Sequence, residues 1–248
     1  MSTIHSTLLY LHILFGAICL LLFWLPVFSK KGSKIHNTSG RIYYQMMLFV
    51  AASGVIMSIM VLIDPIAVYI RDNPLPANKV AQFVNERRHF SSFLLLLSVL
   101  TWVTVRHAYA VLQAKSARQQ LKHWQLQLPV LALLLGSFYM LWSGWQSGTV
   151  LFMIFSSVGI FAAIGMLRYT WQKQLAERQW IIEHFSSMIA SGIALYTAFF
   201  AAGGRRILAG VLVGNWQIVS WVIAPLLGML AIILFKKHFE RKFRVIPR

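Results

Sequence analysis

The chain has 248 residues, 58% of them hydrophobic and only 12% charged, with 23 Lys and Arg against 6 Asp and Glu and a formal net charge of +17. That balance excludes a soluble domain and points to an integral membrane protein. The surplus of cations does not imply nucleic acid, since in a membrane chain their placement between the apolar runs carries the meaning, and no nucleic-acid partner is expected.

A hydrocarbon core about 30 Å thick needs about 20 mostly apolar residues per helical crossing. Seven stretches qualify, near 7–28, 43–66, 90–112, 128–146, 149–169, 180–202 and 216–236. None shows the alternating pattern of a membrane β-strand, and helices are the other way to satisfy every backbone group in lipid. The expected fold is therefore all-α, a polytopic transmembrane bundle of about seven spans forming a single domain over residues 1–248.

The first stretch has no Lys or Arg ahead of it and is followed by "LPVFSKKGSK" instead of a small-residue cleavage site, so it reads as a retained helix. It carries His12 and the only cysteine, Cys19, which rules out a disulfide within the chain and reads as a small core hydrophobe. A basic loop with His36 follows. The second stretch ends at Asp64, where Pro65 disfavours helical geometry in the residue before it. The loop "RDNPLPANKVAQFVNERR" is expected at the surface, with a short interfacial helix from Asn78. His89 and His107 bracket the third stretch; eighteen residues make five helical turns, so both leave one face, about 27 Å apart. In the fifth stretch Gly159 and Ala163 have the spacing of a packing seam, as do Ser187 with Ser191, and Ala190, Ala194, Ala198 and Ala202, in the sixth. The sixth also places Glu183 and His184 one turn inside its start.

Alternate loops divide the cations into seventeen on one side and six on the other. The larger group marks the cytoplasmic side, so the N-terminus is expected outside and the C-terminus inside. The tail cations, from Lys236 to Arg248, are expected against anionic lipid head groups.

Ionisable groups inside a membrane are costly, so each is a functional candidate. At these depths His12 and His89 share an outer level, while His36, His107 and His184 converge on the inner half. Opposed imidazoles in a helical bundle are the ligand set of a membrane cytochrome, so these five are candidate ligands of haem b, and His12, His36 and His184 of a metal ion. A ligating ring needs an acceptor for its other nitrogen. Glu86 is the candidate for His89 and Glu183 for His184, although adjacent helical residues do not face each other. A redox or assembly partner would accompany that role. The alternative is a cofactor-free transporter or permease in which the same imidazoles and Glu183 line a polar cavity, with His184 facing the bundle and Glu183 its rim or a neighbouring polar group. Histidines at helix ends also serve as interfacial or capping groups, the preferred reading of His5, His123 and His238. The chain has no Cys-x-x-Cys, Walker lysine, Gly-x-Ser-x-Gly or His-Glu-x-x-His motif, so no catalytic residue is assigned.

The segment "HILFGAICLLLFWLPVFSKKGSKIHNTSGRIYY", through His12, Gly16, Gly32, His36, Gly40, Arg41 and Tyr43, resembles the opening of bacterial membrane proteins grouped as domain of unknown function 2306. The sixth and seventh stretches are similar to the C-terminal half of that family through Trp180, Glu183, His184, Met188, Ser191, Ala194, Thr197, Ala198, Phe199, Pro225 and Gly228. At position 37 the chain has Asn where the family commonly has Arg. The resemblance implies a multi-pass protein of the bacterial inner membrane and strengthens the choice of His12, His36 and His184, without implying a settled activity.

Overall fold

A computed structural model describes residues 1–70, 75–203 and 218–245. Arg71, Pro74, Arg205, Arg206 and Arg248, which entered the charge balance and the loop reading, lie outside the described residues, as does the start of the seventh stretch. The described residues hold no strand, and seven of their helical segments are long and apolar enough to cross a membrane. The chain is a multi-pass helical protein of membrane type.

The helices are α1 (Ser2–Leu22), α2 (Trp24–Phe28), α3 (Lys34–Ile63), α4 (Pro65–Tyr69), α5 (Ala77–Ala114), α6 (Trp124–Ser147), α7 (Val150–Trp171), α8 (Gln179–Ala198) and α9 (Val219–Lys242). A 3₁₀ turn covers Arg118–Lys122 and a π-helical turn Phe199–Gly203. The crossings match the seven apolar stretches, but α3 and α5 begin well before their apolar runs. The Ser33 hydroxyl accepts from the His36 N–H at 3.2 Å and caps α3. His36 is thus in the first turn of a helix, not in a loop. The interfacial helix expected from Asn78 is the opening of α5 itself, which runs 38 residues without a break and puts His89 inside a helix instead of at its start. Asp64 does end α3, and its carboxylate accepts from the Ala67 N–H at 2.9 Å to cap α4, with Pro65 in the first turn, where its missing N–H costs nothing.

The chain divides into two compact units, Met1–Trp102 with Leu133–Ile160, and Val103–Ala132 with Phe161–Arg248. In the first, α1 and α2 pack on α3. Gly54 makes close approach possible there: a Cβ at that position would stand 2.5 Å from the Ser98 hydroxyl and 3.6 Å from the His12 ring. Gly159 does the same against Ser137, as its spacing predicts. The core includes Tyr43, Met47, Phe93 and Leu133, with the Phe93 ring stacked on Phe152 at 4.7 Å. Outside the crossings, burial pushes the Tyr69 phenol above its ordinary value, opposed by the Arg87 guanidinium 5.2 Å from its ring.

In the second unit, Val111, Ala114, Leu121 and Tyr169 form a buried cluster edged by Leu126, Leu175 and Trp180. Arg118 donates to the carbonyls of Tyr169, Gln172 and Lys173 at 3.3, 2.6 and 3.3 Å, satisfying the orphan acceptors at the end of α7. On α8 the buried face is Ile182, Ser187, Ser191 and Leu195. This corrects the expected stripe through Ala194 and Ala198: Ser187 and Ser191 belong to the seam, whereas Ala198 is exposed. Exposed large apolar side chains run along α9, among them Leu226, Leu230 and Ile233, the surface a lipid-facing helix presents.

Candidate functional site

The second unit joins two pairs of neighbouring residues. His107 on α5 bonds through Nε2 to Glu183 Oε1 on α8 at 2.8 Å. One residue on along both helices, His184 Nδ1 donates to the Ala108 carbonyl at 2.9 Å. The His107 side chain is 7% exposed and the Glu183 side chain 23% exposed, so the imidazole is buried and the acid only partly so. Glu183 therefore orients His107, not its neighbour His184. The reason is geometric: residues one apart on a helix leave it about 100° apart.

Tyr169 on α7 sets its ring edge-on to His107, with centroids 5.9 Å apart and an interplanar angle of 89°. Its side chain is buried, and the hydroxyl has no hydrogen-bond partner among the described residues. On the same helices Ala108 and Val111 are fully buried on α5 and Ser187 is buried on α8. In such surroundings a polar atom is strongly driven to find a partner.

The remaining candidates belong to the first unit. His12 bonds through Nδ1 to the Ser53 hydroxyl at 2.9 Å, and Ser53 in turn donates to the Val50 carbonyl at 2.9 Å. With its proton so used, Ser53 accepts from the ring. His36 Nδ1 donates to the Pro26 carbonyl at 3.0 Å, an oxygen that also accepts from Lys31 Nζ at 2.8 Å. His89 shares a hydrogen bond with the Ser143 hydroxyl at 3.1 Å and stacks on Phe152. Glu86, expected beside His89, instead accepts from Gln82 at 2.8 Å. Among the described residues no group of three or more His, Cys, Asp or Glu side chains gathers in a metal-holding arrangement.

Tyr169 and Arg118 escaped the sequence reading. A tyrosine at the end of an apolar run reads first as an interfacial anchor, and an arginine in a short loop as part of the positive side. Only the fold shows the first against His107 and the second fixing the backbone that carries it. Compared with family models, with curated proteins and with solved structures, the chain matches none of them.

Proposed function

We propose that the protein handles protons within the membrane, as the proton-coupling element of a cofactor-free carrier, with His107 and Glu183 as the pair that shares the proton. The observation that carries this is their 2.8 Å bond between two membrane-crossing helices. Carboxylate and imidazole chains inside spans are the usual means of moving protons through pumps and carriers, because each can be charged or neutral at modest cost when the other compensates. Here a proton shared between Nε2 and Oε1 leaves either two neutral groups or an ion pair, so its gain or loss changes the charge of the site by one. The charge distribution supports an N-terminus outside and a C-terminus inside, in the inner membrane of a bacterium, with the α9 cations against anionic head groups. Kinship with the domain of unknown function 2306 proteins stays part of this proposal, on the residues quoted for it.

Infrared difference spectroscopy of the purified protein, stepped between mildly acid and mildly alkaline buffer, should show a protonated carboxyl band that disappears in Glu183→Gln. A spectrum without such a band, or one that Glu183→Gln leaves intact, overturns the proposal.

Ligation of haem b or a metal ion is the second reading. It is favoured by the tautomers of His12, His36 and His184, in each of which a tethered Nδ1–H leaves the neutral ring's lone pair on Nε2, as a metal ligand requires. The visible spectrum of protein from haem-replete cells decides it: a sharp band that moves on reduction, and is weakened by His12→Ala or His184→Ala, would give this reading precedence.

A further inference from the structure

The Tyr169 hydroxyl is a buried polar atom without a partner among the described residues, and its ring stands against His107. The Tyr169 ring packs in the cluster with Val111, Ala114 and Leu121, while Arg118 donates to the Tyr169 carbonyl, so backbone and ring are both anchored. A phenylalanine would fill that place without the cost of an unsatisfied hydroxyl. The imidazole that the Tyr169 ring meets is the one bonded to Glu183 Oε1, and Oε2 takes no part in that bond. A buried, anchored hydroxyl on a ring that meets the same imidazole as a carboxylate with acceptor capacity to spare is a setting for a bound water, which needs two or more polar partners.

We propose that Tyr169 is the third proton-carrying residue of the site, holding a water molecule between its hydroxyl and the Glu183 carboxylate. This rests on the proton-handling reading and adds the route by which the pair exchanges its proton. As the Glu183 carboxyl O–H breaks, its proton joins the water, and the water passes one of its own to the phenolic oxygen. The tyrosine's original hydroxyl proton leaves to a further water. One proton has moved from the Glu183 carboxyl, left as a carboxylate, to the further water, left as a hydronium ion; the bridging water and the phenol end as they began, and no electron is transferred.

Tyr169→Phe removes only the hydroxyl, and since no protein group among the described residues bonds to it, the variant should insert and fold as the parent does. Two readouts follow from the infrared band assigned through Glu183→Gln. Loss of a hydrogen-bonded water should move the protonated carboxyl stretch to higher frequency. Exchange of the carboxyl proton for deuterium after a jump into heavy water should slow by about tenfold, the worth of one hydrogen bond to a charged group. Incorporation of 3-fluorotyrosine keeps the shape and alters the acidity of the phenol, so it should change the exchange rate without moving the fold. If the parent shows no carboxyl band, the proton-handling reading fails. If the band is present and vanishes in Glu183→Gln, yet Tyr169→Phe and the fluorinated protein match the parent in frequency and exchange, that reading stands and the role of Tyr169 is refuted.

Discussion

Breaking the contact between His107 and Glu183 is the most informative perturbation, because two known magnitudes bracket it. Interhelical hydrogen bonds measured in helical membrane proteins average about 0.6 kcal/mol and reach about 1.7. Removing one partner of a buried ion pair costs about 3–5 kcal/mol, since the other charge is left unpaired. The His107 side chain is 7% exposed and the Glu183 side chain 23% exposed, so solvent screens the pair only partly and the ionic figure needs a modest discount. The expectation for Glu183→Ala and for His107→Ala is a loss of about 2–3 kcal/mol each, between the two limits. The double variant should cost less than the sum of the single ones, because neither leaves the other unpaired. Unfolding in mixed detergent micelles, followed by helical circular dichroism, supplies the four values of the cycle. A coupling near 0.6 kcal/mol identifies a neutral hydrogen bond, and one well above about 1.7 an ion pair. Additive single variants, with coupling near zero, would refute the bond itself and with it the pair as a unit.

Four further outcomes are expected. Gly54→Val should destabilise by about 1–3 kcal/mol through overpacking against Ser98, while Gly54→Ala should cost less, since alanine regains about 1 kcal/mol of helix propensity; adding Ser98→Gly should recover most of the loss if the clash is the cause. Arg118→Ala should lower stability by about 1–3 kcal/mol by releasing three carbonyls, and Arg118→Lys should restore only part, because an ammonium cannot span all three, as a thermal scan of the two variants would show. A reporter active only in the cytoplasm should work when fused after Arg248; silence there, with activity from a fusion in the loop at Pro74, would reverse the orientation. Phosphatidylglycerol should raise the melting temperature of the detergent-purified protein more than phosphatidylcholine does. Lys237→Gln with Arg241→Gln should erase that difference, because these two cations share an open groove on α9 with Leu234, His238 and Lys242.

The crossings were legible because lipid tolerates so little else: an apolar run of about twenty residues has few other uses. Helix limits were not legible in the same way, and the misses share a cause. Segments 34–42 and 78–89 are polar enough to read as a loop and as a separate interfacial helix, yet each continues a crossing helix, because hydropathy reports where the side chains are solvated and not where the backbone bonds stop. Ser33 was the available signal for the first, a capping hydroxyl three residues ahead of the His36 N–H it accepts from. In α8 the spacing of small residues correctly marked Ser187 and Ser191, but Ala198, which the same spacing puts on that face about 20° from Ser187, is exposed at the last residue of the helix: periodicity gives the face a residue occupies and not how far along it a neighbour packs.

The site shows the same division between what a chain declares and what a fold decides. His107, His184 and Glu183 announce themselves by being ionisable in apolar helices, whereas their partners lie 76 residues away and carry no local mark. Adjacency of Glu183 and His184 invites the thought that they serve each other, and helical geometry forbids it. What satisfies both at once is a neighbouring helix that offers a side chain at one position and a backbone oxygen at the next. The Ala108 carbonyl lies inside α5, where it accepts a helical bond, and it still has a second lone pair for the His184 N–H. An acid and an imidazole side by side in a span are thus accommodated by a single crossing, with one of them tethered to backbone and the other held by a group that can exchange a proton. That asymmetry, with Tyr169 against the exchangeable member, is why the pair of His107 and Glu183 carries the functional reading while His184 is the tether that holds α8 in place.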